Sequence, residues 1–156
     1  MPATSPPTGH ASRRILLVED ESLQREISTL VLTKAGYHVD PVGDGQSGWE
    51  ALQAHSYDLL ITDNQMPGLS GADLIRRLRA SWHTLPVILA SGGIVPEHVA
   101  EGSLLQPVSA LPKPFTSDQL LARVAEVLRP PSRVRDGPGV SRRADGGSCL
   151  HWGLNE

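Results

Sequence analysis

The sequence predicts an α/β fold built on one parallel sheet, and three observations lead there. Short apolar runs alternate with segments of helical periodicity, the clearest runs being Ile15-Leu16-Leu17-Val18, Leu59-Leu60-Ile61-Thr62 and Val87-Ile88-Leu89-Ala90. These runs are apolar almost without interruption, as strands covered by helices on both faces must be. A polar group stands just past each of them: Glu19 and Asp20, then Asp63, then Ser91, with Lys113 following a further run from Val108 to Pro112. In a parallel sheet those groups all reach one carboxyl edge, where open α/β sheets place their ligand sites.

Taken in order, the strands are expected at Arg14 to Glu19, Tyr37 to Val42, Asp58 to Thr62, Pro86 to Ala90 and Val108 to Leu111. The second alternates in polarity, which suits an edge position. Each strand is followed by a helical pattern. Ile27, Leu30, Val31 and Lys34-Ala35 space correctly after Ser22, and Gly36 stops the helix. A weaker helix spans about Gln46 to Ala54 and contains Gly48. Leu74, Ile75 and Leu78 follow Gly71, while Leu120, Leu121, Val124, Val127 and Leu128 follow the capping residues Thr116 and Ser117. The weakest helical segment, about Pro96 to Leu104, has Gly92, Gly93, Gly102 and Pro107 around few apolar residues, so a short or partly melted element is expected there. Alternation of this kind is the signature of right-handed β-α-β crossovers.

The chain has 156 residues and 39% hydrophobic content, enough for one ordinary domain with loose ends. Residues 1–12 are rich in Pro, Ser and Thr, and residues 130–156 hold several Gly and Pro with no apolar periodicity. Both segments are expected to be disordered, flanking a domain over 13–129. A formal charge of -3 argues against a nucleic-acid module, which normally carries a basic face. Cys149 is the only cysteine, so no internal disulfide forms, which fits a reducing cytoplasm. The first ten residues lack the apolar stretch of a signal peptide, and no run approaches membrane-spanning length.

Three acids gathered at one edge repel one another unless a cation joins them, and Mg²⁺ is the natural guest for Glu19, Asp20 and Asp63 because it prefers hard oxygen donors. The scattered histidines show no zinc-like spacing. A carboxylate beside Mg²⁺ can also act as a nucleophile toward a phosphoryl group, with Lys113 supplying a cation and Ser91 a hydroxyl donor for the phosphoryl oxygens. Each residue has a bland reading. A lone Asp after a strand commonly forms a turn, Glu19 to Glu21 could merely open a helix, Ser91 could be a loop residue and Lys113 a solvated charge. The ordered set outweighs these single readings.

On these motifs the chain resembles the receiver domains of two-component response regulators, the CheY-like superfamily. The resemblance covers about Arg14 to Leu128 and rests on Ile15 to Glu21, Asp58 to Gly71 with Met66-Pro67-Gly68, Pro86 to Ser91, and Leu111-Pro112-Lys113-Pro114-Phe115. It implies a flavodoxin-like, doubly wound, five-stranded parallel sheet in order 2-1-3-4-5 with helices on both faces. It also implies that Asp63 is the phosphoacceptor, with Ser91 as switch hydroxyl and Lys113 as phosphate-facing cation. By the same resemblance Asp20, Asp63 and the backbone carbonyl of Gln65 bind Mg²⁺, Glu19 assists through water, and the Lys113-Pro114 bond is cis. The implied phosphoryl donor is a sensor histidine kinase or histidine phosphotransfer protein, and an unknown downstream protein reads the result.

Two departures stand out: Ala110 occupies a position where many receivers carry Tyr or Phe, and Ser91-Gly92-Gly93 resembles receivers whose fourth helix is reduced. The residues after Arg129 are too few for a helix-turn-helix with its own core, so a stand-alone receiver is expected. Two competing readings are a Mg²⁺-dependent phosphatase using Asp63 and a partner-binding pseudo-receiver. Gln65 stands where such phosphatases commonly need a second acid, and the full set of acid, hydroxyl and lysine argues against a pseudo-receiver.

Overall fold

A computed structural model describes residues 12–81, 83–93 and 107–129. Five strands, β1 (Arg14–Val18), β2 (His38–Val42), β3 (Leu59–Asp63), β4 (Val87–Ser91) and β5 (Val108–Pro112), form one sheet in the order β2-β1-β3-β4-β5. Every pairing is parallel. Four helices are described: α1 (Ser22–Lys34), α2 (Gly45–Ala54), α3 (Gly71–Ala80) and α4 (Ser117–Leu128). The helix expected at about 96–104, the two expected disordered ends, Trp82 and Trp152 lie outside the described residues.

Strand periodicity divides the core. Along β1 the side chains of Leu16 and Val18 join Leu60, Leu74, Ile75, Leu78, Val87 and Leu89 on one face. Ile15 and Leu17 join Leu59, Ile61, Ile88, Leu32, Leu120 and Val124 on the other. Successive strand residues point to opposite faces, so an uninterrupted apolar run fills both cores at once. Trp49 packs at the margin of the first core. In β2, Pro41 has no N–H to give to a second neighbour, in keeping with its edge position.

The strand ends shift slightly from the sequence expectation. Asp63 and Ser91 are the last residues of β3 and β4 rather than the first residues beyond them. In α1 the periodic residues Ile27 and Leu30 face outward with Leu23, while Ser28 and Leu32 are buried. Caps set the other helix starts: Asp44 accepts from Ser47 N–H, Ser70 from Asp73 N–H, and Thr116 forms a reciprocal capping box with Gln119.

Candidate functional site: an acidic cluster at the sheet's switch point

The order β2-β1-β3 makes β1 and β3 neighbours, although their crossovers leave in opposite directions. A crevice therefore opens beyond their carboxyl ends. Glu19 and Asp20 follow β1 there, and Asp63 ends β3. Register places Val18 beside Thr62, and Asp63 beside Ala90 on β4, so Ser91 and then Lys113 beyond β5 fall along the same edge. The structure thus brings all five predicted side chains to one side of the sheet.

One ligand oxygen from each of Glu19, Asp20 and Asp63 lies within 4.8 Å of the others. Asp63 is 6% exposed and Glu19 5%. Lys113 Nζ reaches Asp63 Oδ2 at 3.0 Å and Glu19 Oε2 at 3.4 Å. Gln65, itself exposed, donates its backbone N–H to Asp63 Oδ1 at 3.2 Å. The Glu21 N–H donates to Glu19 Oε1 at the same distance. Ser91 is 4% exposed. Its Oγ accepts from Gly93 N–H at 3.3 Å, and its carbonyl accepts from Lys113 N–H at 2.9 Å. The Lys113-Pro114 peptide is cis, as the resemblance implies.

Burial pushes the Glu19 carboxyl above its ordinary value of 4.5, and the charge of Asp63 adds to the rise; the Glu21 N–H and Lys113 oppose it without cancelling it. For Lys113 burial works downward, but the hydrogen bond and charge of Asp63, joined by Glu19, outweigh it and the ammonium form is favoured. Three carboxylates against one ammonium leave a formal excess of two negative charges. Two of those carboxylates are buried, where an uncompensated charge is costly. Hard oxygen donors at this spacing, with surplus negative charge, fit Mg²⁺ and suit no soft metal.

Three further residues frame the site: Asn64 and Gly71, which lie within the Asp58 to Gly71 motif, and Arg25, which lies in none. Asn64 closes the loop after Asp63: its N–H donates to Ala90 O at 2.9 Å, its side-chain oxygen accepts from Ala72 N–H at 3.2 Å, and its carbonyl accepts from Gly71 N–H at 3.2 Å. Gly71 has no room for a Cβ, which would run into the Asp63 carbonyl and come within 2.9 Å of Leu89 Cδ1. Arg25 holds the acidic loop from the other side, donating to the Glu19 carbonyl.

A doubly wound parallel sheet with an acidic cluster of this charge at its switch point defines a class of protein. The model of the response regulator receiver domain matches residues 15–125, and the chain belongs to that family. The transcriptional regulatory protein CusR of Escherichia coli strain K12 is 37% identical over 116 residues, covering 74% of this chain and 51% of CusR. The response regulator ArlR of Staphylococcus aureus strain Mu50 is 33% identical over 130 residues, covering 82% of this chain and 59% of ArlR. The structure of the chemotaxis protein CheY4 of Vibrio cholerae superposes with a TM-score of 0.68 at 28% identity, over 76% of this chain and 100% of CheY4. The chain therefore spans about half the length of the curated relatives it matches, and the whole of CheY4. Among the described residues no helix is long and apolar enough to cross a membrane.

Proposed function

We propose that this receiver domain accepts a phosphoryl group on Asp63 from a phosphohistidine of a sensor kinase or phosphotransfer protein, and passes the change to a partner protein. The observation that carries the reading is the pairing of a buried Asp63 with Lys113 Nζ at 3.0 Å inside a cluster with surplus negative charge. A carboxylate oxygen of Asp63 attacks phosphorus, the P–N bond to the donor imidazole breaks as the P–O bond forms, and the imidazole departs to take up a proton. Positioning and charge neutralisation supply most of the catalysis in such transfers.

Asp20, Asp63 and the backbone carbonyl of Gln65 would hold Mg²⁺, with Glu19 assisting through water. When bound, the ion neutralises charge on the transferring group. The Asp63 carboxylate is oriented by the Gln65 N–H and by Lys113, and the ammonium then faces the new phosphoryl oxygens. Ser91 can turn its hydroxyl hydrogen toward those oxygens, since its contact with Gly93 uses only the oxygen as acceptor. Charge-assisted hydrogen bonds are worth about 1.5–3 kcal/mol each. A net gain of about 3 kcal/mol moves a two-state equilibrium by roughly two decades, so a one-per-cent active state reaches about half. Partner binding completes the switch.

Incubation with Mg²⁺ and a small acyl-phosphate donor should add one phosphate to the intact mass. The adduct should be absent in Asp63→Asn and after chelation of Mg²⁺. An adduct that survives Asp63→Asn would move the acceptor elsewhere, and rapid turnover of a simple phosphoester would favour a phosphatase.

A further inference from the structure

We infer that Arg25 is a positioning residue for the cation site: its guanidinium, lodged beside Gly43 after β2, holds the backbone of the loop carrying Glu19 and Asp20 and so sets the spacing of the acids. The inference rests on the reading of this cluster as a Mg²⁺ site. Arg25 lies in the first turns of α1, where a charged side chain would ordinarily extend into water. Here Nη1 turns back over the start of the helix, donating to the Glu19 carbonyl at 2.8 Å and, more weakly, to the Asp20 carbonyl at 3.5 Å. The same nitrogen lies against Gly43, where a Cβ would come within 3.2 Å of it. Gly43 immediately follows β2, whose last residue, Val42, accepts the Glu19 N–H at 3.1 Å. Glu19 is thus held at its N–H by β2 and at its carbonyl by Arg25, and the Arg25 backbone N–H closes the first helical turn onto Glu21 O at 2.9 Å.

Both guanidinium hydrogen bonds end on backbone carbonyls, so the loop is fixed without consuming either carboxylate. A charge-assisted bond to a carbonyl is also stronger than a neutral one. Groups that orient metal-binding residues from behind commonly change affinity about 10- to 100-fold when removed. Electrostatics alone argues the opposite: deleting a positive charge beside an acidic cluster should tighten cation binding. The sign of the effect therefore separates positioning from mere charge balance.

The test is calorimetric titration of Mg²⁺ into the wild type, Arg25→Met and Gly43→Ala, with melting temperatures measured alongside. Arg25→Met keeps the apolar stem and should weaken Mg²⁺ binding about tenfold. Gly43→Ala keeps every charge but crowds the guanidinium, and should weaken binding in the same direction by less. Phosphorylation of Asp63 by a small donor should still saturate in both variants, at higher Mg²⁺ concentration. If Arg25→Met binds Mg²⁺ as tightly as the wild type or more tightly, the inference is overturned while the Mg²⁺ reading stands. Should Arg25→Met fail to fold, unchanged affinity in Gly43→Ala overturns it equally. A wild type that binds no Mg²⁺ overturns the reading and the inference together.

Discussion

Two charged clusters sit toward opposite ends of β1 with opposite balance, one carboxylate among several donors at the amino end and three carboxylates around one lysine site at the carboxyl end. At the amino end Asp40 faces more partners than it needs. Arg14 donates to Oδ2 from Nη2 at 2.6 Å and Nε at 3.0 Å, Tyr57 OH donates at 2.8 Å, and His38 Nε2 lies 3.4 Å from Oδ1. The Arg14 guanidinium also stacks 5.0 Å from the centre of the Tyr57 ring. At the carboxyl end three acids gather, and Lys113 pairs with two of them, Asp63 and Glu19. Burial raises an acid's pKa in both places. Around Asp40 the Tyr57 and Arg14 bonds more than offset that, leaving the carboxyl below its ordinary value, whereas Glu19 ends above its own. A satisfied cluster fastens β1, β2 and the entry to β3. A cluster left short of positive charge is one that a cation and a phosphoryl group can complete.

Removing one charged partner from each cluster exposes the contrast most strongly. Lys113→Ala leaves buried Asp63 and Glu19 facing each other and should cost about 3 kcal/mol in metal-free protein, with much of the loss recovered on adding Mg²⁺. Denaturant melts with and without Mg²⁺ would show this, and a cost unaffected by Mg²⁺ would break the comparison.

At the satisfied end, Asp40→Asn should cost about 1–2 kcal/mol at neutral pH, because both partners are only partly buried. Asp40 has a lowered pKa, so its contribution is present above the ordinary value of 3.8 and is lost as pH falls through the folded value below it. The gap in melting temperature between wild type and Asp40→Asn should thus be full at pH 7 and close in acid. A gap that persists far below pH 3.8 would mean that packing, not charge, holds the cluster.

The smallest effect has the reverse sign. The raised pKa of Glu19 means that its protonated form favours folding, an advantage present below 4.5 and lost as pH rises through the folded value above it. Glu19→Gln should therefore raise the stability of metal-free protein at pH 7 by less than about 1 kcal/mol and change little at pH 4. Destabilisation at pH 7 would show that the ionised carboxylate contributes more through Lys113 than it loses by burial.

The sequence made the sheet and the principal site groups legible for one physical reason. A strand buried on both faces is apolar almost throughout, so polar groups gathered at its end stand out, and parallel strands end together. Asp63 and Ser91 are readable on that ground, although each proved to be the last residue of its strand. The buried arc of α1 was not readable. Leu23, Ile27, Leu30, Val31 and Leu32 wrap around so much of the helix that periodicity alone does not choose an arc, and packing against the sheet and α4 selects Ser28 and Leu32. Arg25 was equally silent. A basic residue one turn into a helix reads as a solvated charge until the loop after β2 is known to lie beside it.

The claim that the carboxyl-end cluster is kept short of positive charge for a cation is tested most directly by the melting temperature of the wild type as Mg²⁺ is raised, with Asp20→Asn and Asp40→Asn in parallel. Linkage predicts about 2.7 kcal/mol of added stability at a hundred times the dissociation constant. That gain should appear in the wild type, survive in Asp40→Asn and disappear in Asp20→Asn. A wild-type melting temperature indifferent to Mg²⁺, or a gain that Asp20→Asn retains in full, would contradict the account.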